Sequence, residues 1–354
     1  MSSILDAIQV RINELKDSGK LSIFTIASTS KIETSAYLTP LRETKEFIVS
    51  GCVLFNQELL LEIITRVDGM VDIILVDQEK KVPLQIAKHE NSLLYSNRTI
   101  KQIDTGNFFK ICFNTIEKSK VYGFKPNDLT VNSIWNFLNI KMYFYSDIKI
   151  TIIGAGNIGT KLALKLVECG AKVSLYGRDP YKGVVMTQGL NHIKSKSTLS
   201  NIEFTDDITK ASFMSDVIIG ATNGANIITS QVLSNVKKEC LLIELGKNNF
   251  TSDAIELAQK NDLEIYRVDV TAALEGYIYE LLQTIHILKN SYGKNVIDKL
   301  SFVSGGFYGT DGDIVVDNCY NPKKLYGIAD GKGSLRANEN ESLKKKIETI
   351  IQGN

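Results

Sequence analysis

Three glycines stand at a spacing that suits gripping a phosphate pair, in Gly154-Ala155-Gly156-Asn157-Ile158-Gly159. The spacing alone is a weak signal because glycine is common. Here an apolar run, residues 148–153, leads into it and an amphipathic run, residues 157–169, leaves it. That is the strand–turn–helix context the motif requires. Each glycine then has its own duty. Gly154 permits the tight turn, Gly156 lets the backbone approach a pyrophosphate, and Gly159 lets the helix pack closely on the strand. The first N–H groups of the helix, around Asn157 and Ile158, and the positive end of its dipole face the phosphates. The chemistry implied is dinucleotide binding.

The end of the following strand bears on which dinucleotide binds. Folds selective for NAD place a carboxylate there to bond the ribose 2′-OH. This chain reads Tyr176-Gly177-Arg178-Asp179. Aligned from Gly159, Gly177 takes the carboxylate position and Arg178 the next one. A lost carboxylate beside a guanidinium favours a 2′-phosphate, so NADP is the first choice. A small shift of alignment would bring Asp179 into the acidic position, which keeps NAD as the second. Two further strand ends should line the same cleft, because ligands of open α/β sheets lie at the carboxyl ends of strands. They carry Thr222, and Gly246 with Lys247; ordinary loop chemistry is the competing reading for all three.

These residues need a frame to hold them. From residue 148 onward, strands at 148–153, 172–176, 217–222, 240–245 and 263–270 alternate with helices, among them 157–169 and 251–261. The alternation predicts a Rossmann-type, doubly wound parallel sheet. Residues 1–145 read as a second, smaller α/β domain, with strands at 21–27, 47–55 and 71–77, and helices at 57–67 and 128–139, the last with Asp128 as N-cap. The charged run that follows Asp77, through Lys81, reads as a solvated turn. The expected organisation is a substrate-binding domain at 1–145, a cofactor domain at 146–290, and a tail at 291–354 packing back on the first domain. Long helices at 128–139 and 272–288 are expected to pack side by side and join the lobes. A charged helix is expected at 339–352.

Composition excludes several function classes. The chain has 354 residues, 44% hydrophobic and 23% charged, with 41 basic and 40 acidic residues and net charge +1. That balance gives no overall electrostatic case for nucleic acid or an anionic membrane surface. No apolar run approaches the ~20 residues of a membrane helix. The N-terminal pattern Ile4, Leu5, Ile8, Ile12, Leu15 is an amphipathic helix rather than a signal peptide. Five scattered cysteines without a CxxC pair read as free thiols of a reducing compartment, hence a cytoplasmic location. Three isolated histidines give no metal cluster. Residues 327–334 (GIADGKGS) miss the P-loop spacing, and Asp311, Asp313 and Asp317 lack the terminal glutamate of a calcium loop. A homodimer is the expectation that prevalence alone supplies.

Residues 148–270 resemble the cofactor domain shared by shikimate dehydrogenases, methylenetetrahydrofolate dehydrogenases and glutamyl-tRNA reductases. The stretch SDVIIGATNGANIITSQVLSNVKKECLLIELG carries the likeness to the last of these. The resemblance implies a nicotinamide cofactor. The thioester chemistry of the reductases is not implied, because Ser30 stands where their nucleophilic cysteine would be. The likeness to shikimate dehydrogenases points to Asp128, which follows Asn127 ahead of the linking helix, and to a first-lobe lysine for which Lys45 is the candidate. Such a pair would exchange the alcohol proton while hydride moves to or from the nicotinamide. A helix cap for Asp128 and a surface charge for Lys45 are the plainer alternatives. The expected activity is hydride transfer between NADP(H) and a small polar carbonyl, alcohol or imine. Two alternatives stay open: a lyase or cyclodeaminase-type enzyme that recycles tightly bound NAD, and a non-enzymatic sensing or assembly protein.

Overall fold

The structure, a computed structural model, describes residues 2–29, 35–55, 57, 59–79, 81–82, 108–223, 226–245, 248–337, 345 and 347–349. The expected helix at 339–352 lies largely outside them. Two compact units divide the chain, residues 1–270 and 271–354.

The first unit opens with α1 (Ser2–Asp17), whose Leu5, Ile8, Ile12 and Leu15 recur every three or four residues and are all buried. Four parallel strands follow: β1 (Leu21–Ser28), β4 (Phe47–Leu54), β5 (Ile73–Asp77) and β6 (Lys120–Phe124). The short strands β2 (Tyr37–Leu38) and β3 (Arg42–Glu43) pair antiparallel with β4. The sheet order is β2-β4-β1-β5-β6. β1, β4 and β5 are buried along nearly their whole length, as parallel strands covered on two sides must be. Phe24, Ile26, Cys52, Ile74 and Val76 point into one core with α1, α2 (Leu60–Val67) and α3 (Phe108–Thr115). The chain winds outward from β1 to β4 and returns to β5 on the other side, so the direction of winding reverses between β1 and β5.

Helix α4 (Pro126–Lys141) leads to a second sheet. Its elements are β7 (Lys149–Ile153), α5 (Asn157–Glu168), β8 (Lys172–Tyr176), α6 (Pro180–Ile193), β9 (Ile202–Thr205), α7 (Ile208–Ser212), β10 (Val217–Gly220), α8 (Ser230–Leu233), β11 (Leu241–Leu245), α9 (Ser252–Lys260) and β12 (Ile265–Val268). All six strands are parallel, in the order β12-β11-β10-β7-β8-β9. Counted from β7 this is 3-2-1-4-5-6, the Rossmann winding. The expected parallel sheet is present, with one strand, β9, beyond those read from the sequence. Val131, Ile134 and Leu138 of α4 share the core of this second sheet with Leu162, Leu166 and Val167 of α5.

The second unit begins with α10 (Thr271–Asn290). A hairpin follows, β13 (Gly293–Ile297) and β14 (Leu300–Ser304), closed by Asp298 and Lys299 at φ 47° and 69°. Two positive φ values define the tight turn that matches strand twist. β15 (Ile314–Val316) and β16 (Leu325–Ile328) complete a four-stranded sheet. Phe302, Ile314, Val316, Cys319 and Ile347 form its core. The three aspartates of this region have separate partners. Asp313 binds Lys294 at 2.9 Å, Asp311 binds Arg336 at 2.8 Å, and Asp317 accepts the backbone N–H groups of Lys323 and Lys324. In the glycine-rich stretch, Asp330 accepts from the N–H groups of Lys332 and Ser334, which makes a turn of it.

Candidate functional site

β7 ends at Ile153, and the chain turns through Gly154 at φ 131°, in backbone territory closed to other side chains. A Cβ on Gly154 would also lie 2.5 Å from the carbonyl oxygen of Ala221. A Cβ on Gly159 would lie 2.0 Å from the carbonyl oxygen of Gly154, so α5 lies as close to β7 as backbone allows. Gly156 differs from both. A Cβ there would meet nothing within 4 Å, its φ is −95°, and it is exposed. Nothing in the fold itself requires glycine at Gly156. Gly156 is the N-cap of α5 and supplies no side-chain hydrogen bond to the helix start. Asn157, exposed, and Ile158 open the helix with N–H groups that a helix does not satisfy internally. An uncapped helix start beside an open backbone fits a pyrophosphate.

The neighbouring crest, the end of β8, packs Gly177 against Ala155, where a Cβ would lie 2.9 Å from that of Ala155. Arg178 is exposed directly after it. Asp179 is occupied: it is the N-cap of α6, and its Oδ1 accepts the N–H of Lys182 at 3.0 Å. That role accounts for the aspartate without a ribose. At the end of β10, Thr222 donates from its backbone N–H and its hydroxyl to Asn249 Oδ1, at 2.9 and 2.6 Å. Gly246 and Lys247 lie outside the described residues.

The first-lobe candidates are not brought together. Lys45 lies exposed in the turn between β3 and β4, at the amino edge of the first sheet, near Lys20 and its ion pair with Glu43. Asp128 follows β6, at the carboxyl edge. Even a five-residue strand such as β5 holds these edges roughly 16 Å apart. Nor is Asp128 the cap of its helix. α4 begins at Pro126 with Lys125 in the N-cap position, because proline presets φ for the first turn. Asp128 stands in that first turn and binds Lys125 at 2.7 Å and Lys161 of α5. Partial burial pushes its carboxyl up, but the two lysine bonds outweigh this and hold it below the usual carboxylate range.

The carboxyl edge of the first sheet holds a cluster that the sequence reading passed over as a solvated turn. Asp77, fully buried at the end of β5, accepts from Ser28 N–H at 3.0 Å, Ser28 Oγ at 2.7 Å and Glu79 N–H at 2.8 Å. Lys81 Nζ binds Asp77 at 2.9 Å and Glu79 at 3.0 Å, with its side chain 15% exposed. Glu79 in turn accepts the N–H of Asn127 at the start of α4, at 3.2 Å. Ser28 and Asp77 end β1 and β5, the strands between which the winding reverses, and ligands of open α/β sheets settle there. A charged run directly after a fully apolar strand was the available signal. A cavity of about 970 Å³ opens on the opposite, amino edge of the second sheet and is lined by Lys149, Lys172 and Glu203, among others. Its lysines are already engaged, Lys172 with Asp147 and Lys149 with the Phe213 carbonyl.

The winding and the glycine crest define a Rossmann-type domain. Residues 149–249 match the family described as NAD-dependent glycerol-3-phosphate dehydrogenase N-terminus. The chain is similar to a glycerol-3-phosphate dehydrogenase [NAD(P)+] of Clostridium botulinum (strain Eklund 17B / Type B), 37% identical over 106 residues, 28% of this chain and 32% of the relative. An enzyme of the same name from strain Alaska E43 / Type E3 is 33% identical over 124 residues, 32% of this chain and 37% of the relative. The chain thus spans about a third of the length of these curated relatives. Among solved structures, the A chain of dipicolinate synthase from Bacillus subtilis covers 77% of this chain, and 82% of that chain is covered, at 14% identity and a TM-score of 0.36. Shikimate dehydrogenase from Aquifex aeolicus aligns over 41% of this chain and 50% of its own, at 16% identity and a TM-score of 0.31. The sequence relatives named here therefore carry the glycerol-3-phosphate dehydrogenase name rather than those of the three families that the cofactor domain resembles.

Proposed function

We propose that this chain is an NAD(P)-dependent oxidoreductase that transfers hydride between NADP(H) and a small polar carbonyl, alcohol or imine, with NAD as the second choice of cofactor. The observation that carries the reading is the division of labour among the glycines: Gly154 and Gly159 are demanded by the fold, whereas Gly156 faces open space at an uncapped helix start. The cofactor, when bound, supplies the hydride donor and acceptor. Gly156, Asn157, Ile158 and Gly159 would hold its pyrophosphate through backbone N–H groups, Gly177 and Arg178 its adenosine ribose, and Thr222 its other half. The relatives' names support a nicotinamide dinucleotide at this site.

The substrate reading rests on the first lobe. In reduction, a hydride reaches the carbonyl carbon and a proton must reach the oxygen. Within the first sheet's own crest, the described lysine set against a buried carboxylate is Lys81, and it replaces Lys45 as the proposed proton carrier, with Asp77 and Glu79 fixing its position. Asp128 becomes the residue that ties α4 to α5 at that level. Dihydroxyacetone phosphate is the first ketone to assay, because the relatives carry the name of its alcohol. The family match begins at residue 149, after a sheet that the matched segment does not include, so the substrate is this chain's own question.

The test is titration of the full chain with NADPH and NADH, following nicotinamide fluorescence, repeated with Arg178→Ala. NADPH binding that Arg178→Ala weakens about tenfold, as loss of a charged hydrogen bond would, with NADH unaffected, is the expected result. A folded protein that binds neither nucleotide sinks the reading.

A further inference from the structure

The second half of the Rossmann sheet contains a hydrogen-bonded chain that fixes one residue of the crest. It begins at Arg267 on β12, whose Nε and Nη2 both reach Glu244 Oε2, at 3.0 and 2.9 Å. Glu244 lies in β11 and is buried. Its other oxygen, Oε1, accepts the backbone N–H of Asn249 at 2.8 Å. Asn249 is fully buried, and its amide is used at both ends. Nδ2 donates to the Leu245 carbonyl at 3.1 Å, and Oδ1 accepts from both the backbone N–H and the hydroxyl of Thr222. The backbone adds two more ties across the same gap, Ile228 N–H to Asn249 O at 3.0 Å and Asn226 N–H to Asn248 O at 2.8 Å.

Space for this arrangement is made by Gly220, the last residue of β10. A Cβ there would lie 2.7 Å from that of Asn249. Thr222 itself follows Ala221, whose N–H bonds the Ile153 carbonyl and whose own carbonyl oxygen closes on Gly154. The chain Arg267–Glu244–Asn249–Thr222 therefore spans three strands and ends beside the glycine crest. In a 3-2-1-4-5-6 sheet each half holds one mononucleotide. Arg178 marks the adenosine half at β8, so Thr222 at β10 belongs to the other.

We infer that Asn249 is a positioning residue for the nicotinamide half of the dinucleotide, acting through Thr222. This rests on the dinucleotide reading proposed above. The amide is required chemically. A carboxylate at Asn249 could accept from Thr222 but would turn an oxygen on the Leu245 carbonyl, where Nδ2 now donates. The role predicts a split between ligands. Loss of Asn249 removes these two bonds to Thr222 and should weaken the whole dinucleotide, while a ligand that contains only the adenosine half should not sense it.

The experiment uses the full chain and two probes, NADPH by nicotinamide fluorescence and adenosine 2′,5′-bisphosphate by calorimetry (NADH and AMP if the wild type prefers NAD). Asn249→Ala, Asn249→Asp and Thr222→Val are compared, each with its melting temperature. The expected result is a loss of fivefold or more in NADPH affinity for all three, with the adenosine probe within twofold of wild type. Asn249→Ala combined with Thr222→Val should lose little beyond Asn249→Ala alone. Equal weakening of both probes would reduce Asn249 to a structural support and overturn the inference, as would unchanged NADPH binding in Thr222→Val and Asn249→Asp. If the wild type binds neither probe, the dinucleotide reading itself falls and takes this inference with it.

Discussion

Alanine at Gly156 and alanine at Gly159 should fail in opposite ways. At Gly159 the new Cβ would start 2.0 Å from the Gly154 carbonyl oxygen, and real Cβ contacts essentially never fall under 3.0 Å. Helix α5 must retreat about 1 Å from β7 or the turn must open, with Leu162, Leu166 and Val167 of the same helix already packed. Overpacking of this kind costs roughly 1–3 kcal/mol, occasionally more. At about 2–4 °C per kcal/mol for a unit of this size, the melting temperature should fall by roughly 2–12 °C. At Gly156 the new Cβ meets nothing, and φ −95° suits alanine. Alanine is a slightly poorer N-cap than glycine, which sets the stability loss at up to about 1 kcal/mol. The same methyl lies where phosphate must approach, so NADPH affinity should fall tenfold or more, about 1.4 kcal/mol or above. The assays are thermal denaturation by circular dichroism and fluorescence titration with NADPH, run on both variants. A Gly156→Ala protein that melts like Gly159→Ala, or that keeps wild-type affinity, would refute the assignment of Gly156 to the phosphates.

Three further outcomes are expected. Asp77→Ala leaves Lys81 and three donors without their buried carboxylate and should cost about 3–5 kcal/mol; a melting temperature within 2 °C of wild type would contradict the cluster's place in the fold. In the second unit, burial pushes the Asp313 carboxyl up, but Lys294 and Thr310 outweigh it and bring it down to about 2, against an ordinary 3.8. A depressed carboxylate stabilises above its unfolded value, so about 2 kcal/mol should be present at neutral pH and be lost as pH falls from about 4 to about 2. Asp313→Asn should show that deficit at pH 7 and little of it at pH 2 in denaturation followed by circular dichroism, and a deficit equal at both pH values would refute the titration. Cys52, Cys112, Cys240 and Cys319 are buried, and burial pushes the Cys52 and Cys240 thiols up to about 12, whereas Cys169 is exposed. A chromogenic disulfide reagent at pH 8 should titrate one thiol quickly in the native protein, and Cys169→Ser should abolish that phase.

The glycine crest was legible because three constraints coincide in six residues: a positive φ, a backbone-to-backbone contact and an open approach. Strand β9 and helix α6 were not. β9 has four residues in a polar setting, and α6 buries only Gly183 and Thr187, so no apolar stripe marks it. Gly183 is there because Phe204 of β9 occupies the space its Cβ would take, 2.0 Å away, a contact that only the folded chain reveals. The strands of the second unit are three to five residues long and fall below what alternation can signal. Asp128 misled because aspartate suits both a cap and a first-turn ion pair, and Pro126 two residues earlier decides between them. The edge that Lys45 occupies was not legible, because sequence distance does not tell which edge of a parallel sheet a turn occupies. Lys81 escaped because a charged run after a strand is usually solvated, and here Asp77 turns inward instead.

The way α4 lies on α5 sets which edge faces the glycine loop. Asp128 meets Lys161 and Asn132 meets Lys165 at 3.2 Å, so both pairs are offset by the same 33 residues. A constant offset means that the two helices run parallel. α4 leaves the carboxyl edge of the first sheet after β6, and α5 leaves the carboxyl edge of the second after β7. Parallel packing therefore sets one crest beside the other, with the chain Ser28–Asp77–Lys81–Glu79–Asn127 on one side and the glycine loop on the other. Antiparallel packing would have placed the glycine loop near the other end of α4, one helix length from this cluster. A proton carrier for chemistry at a dinucleotide bound on Gly156 is thus to be sought at Lys81 and its carboxylates. Lys45, at the amino edge of the first sheet, lies a strand's length from that crest.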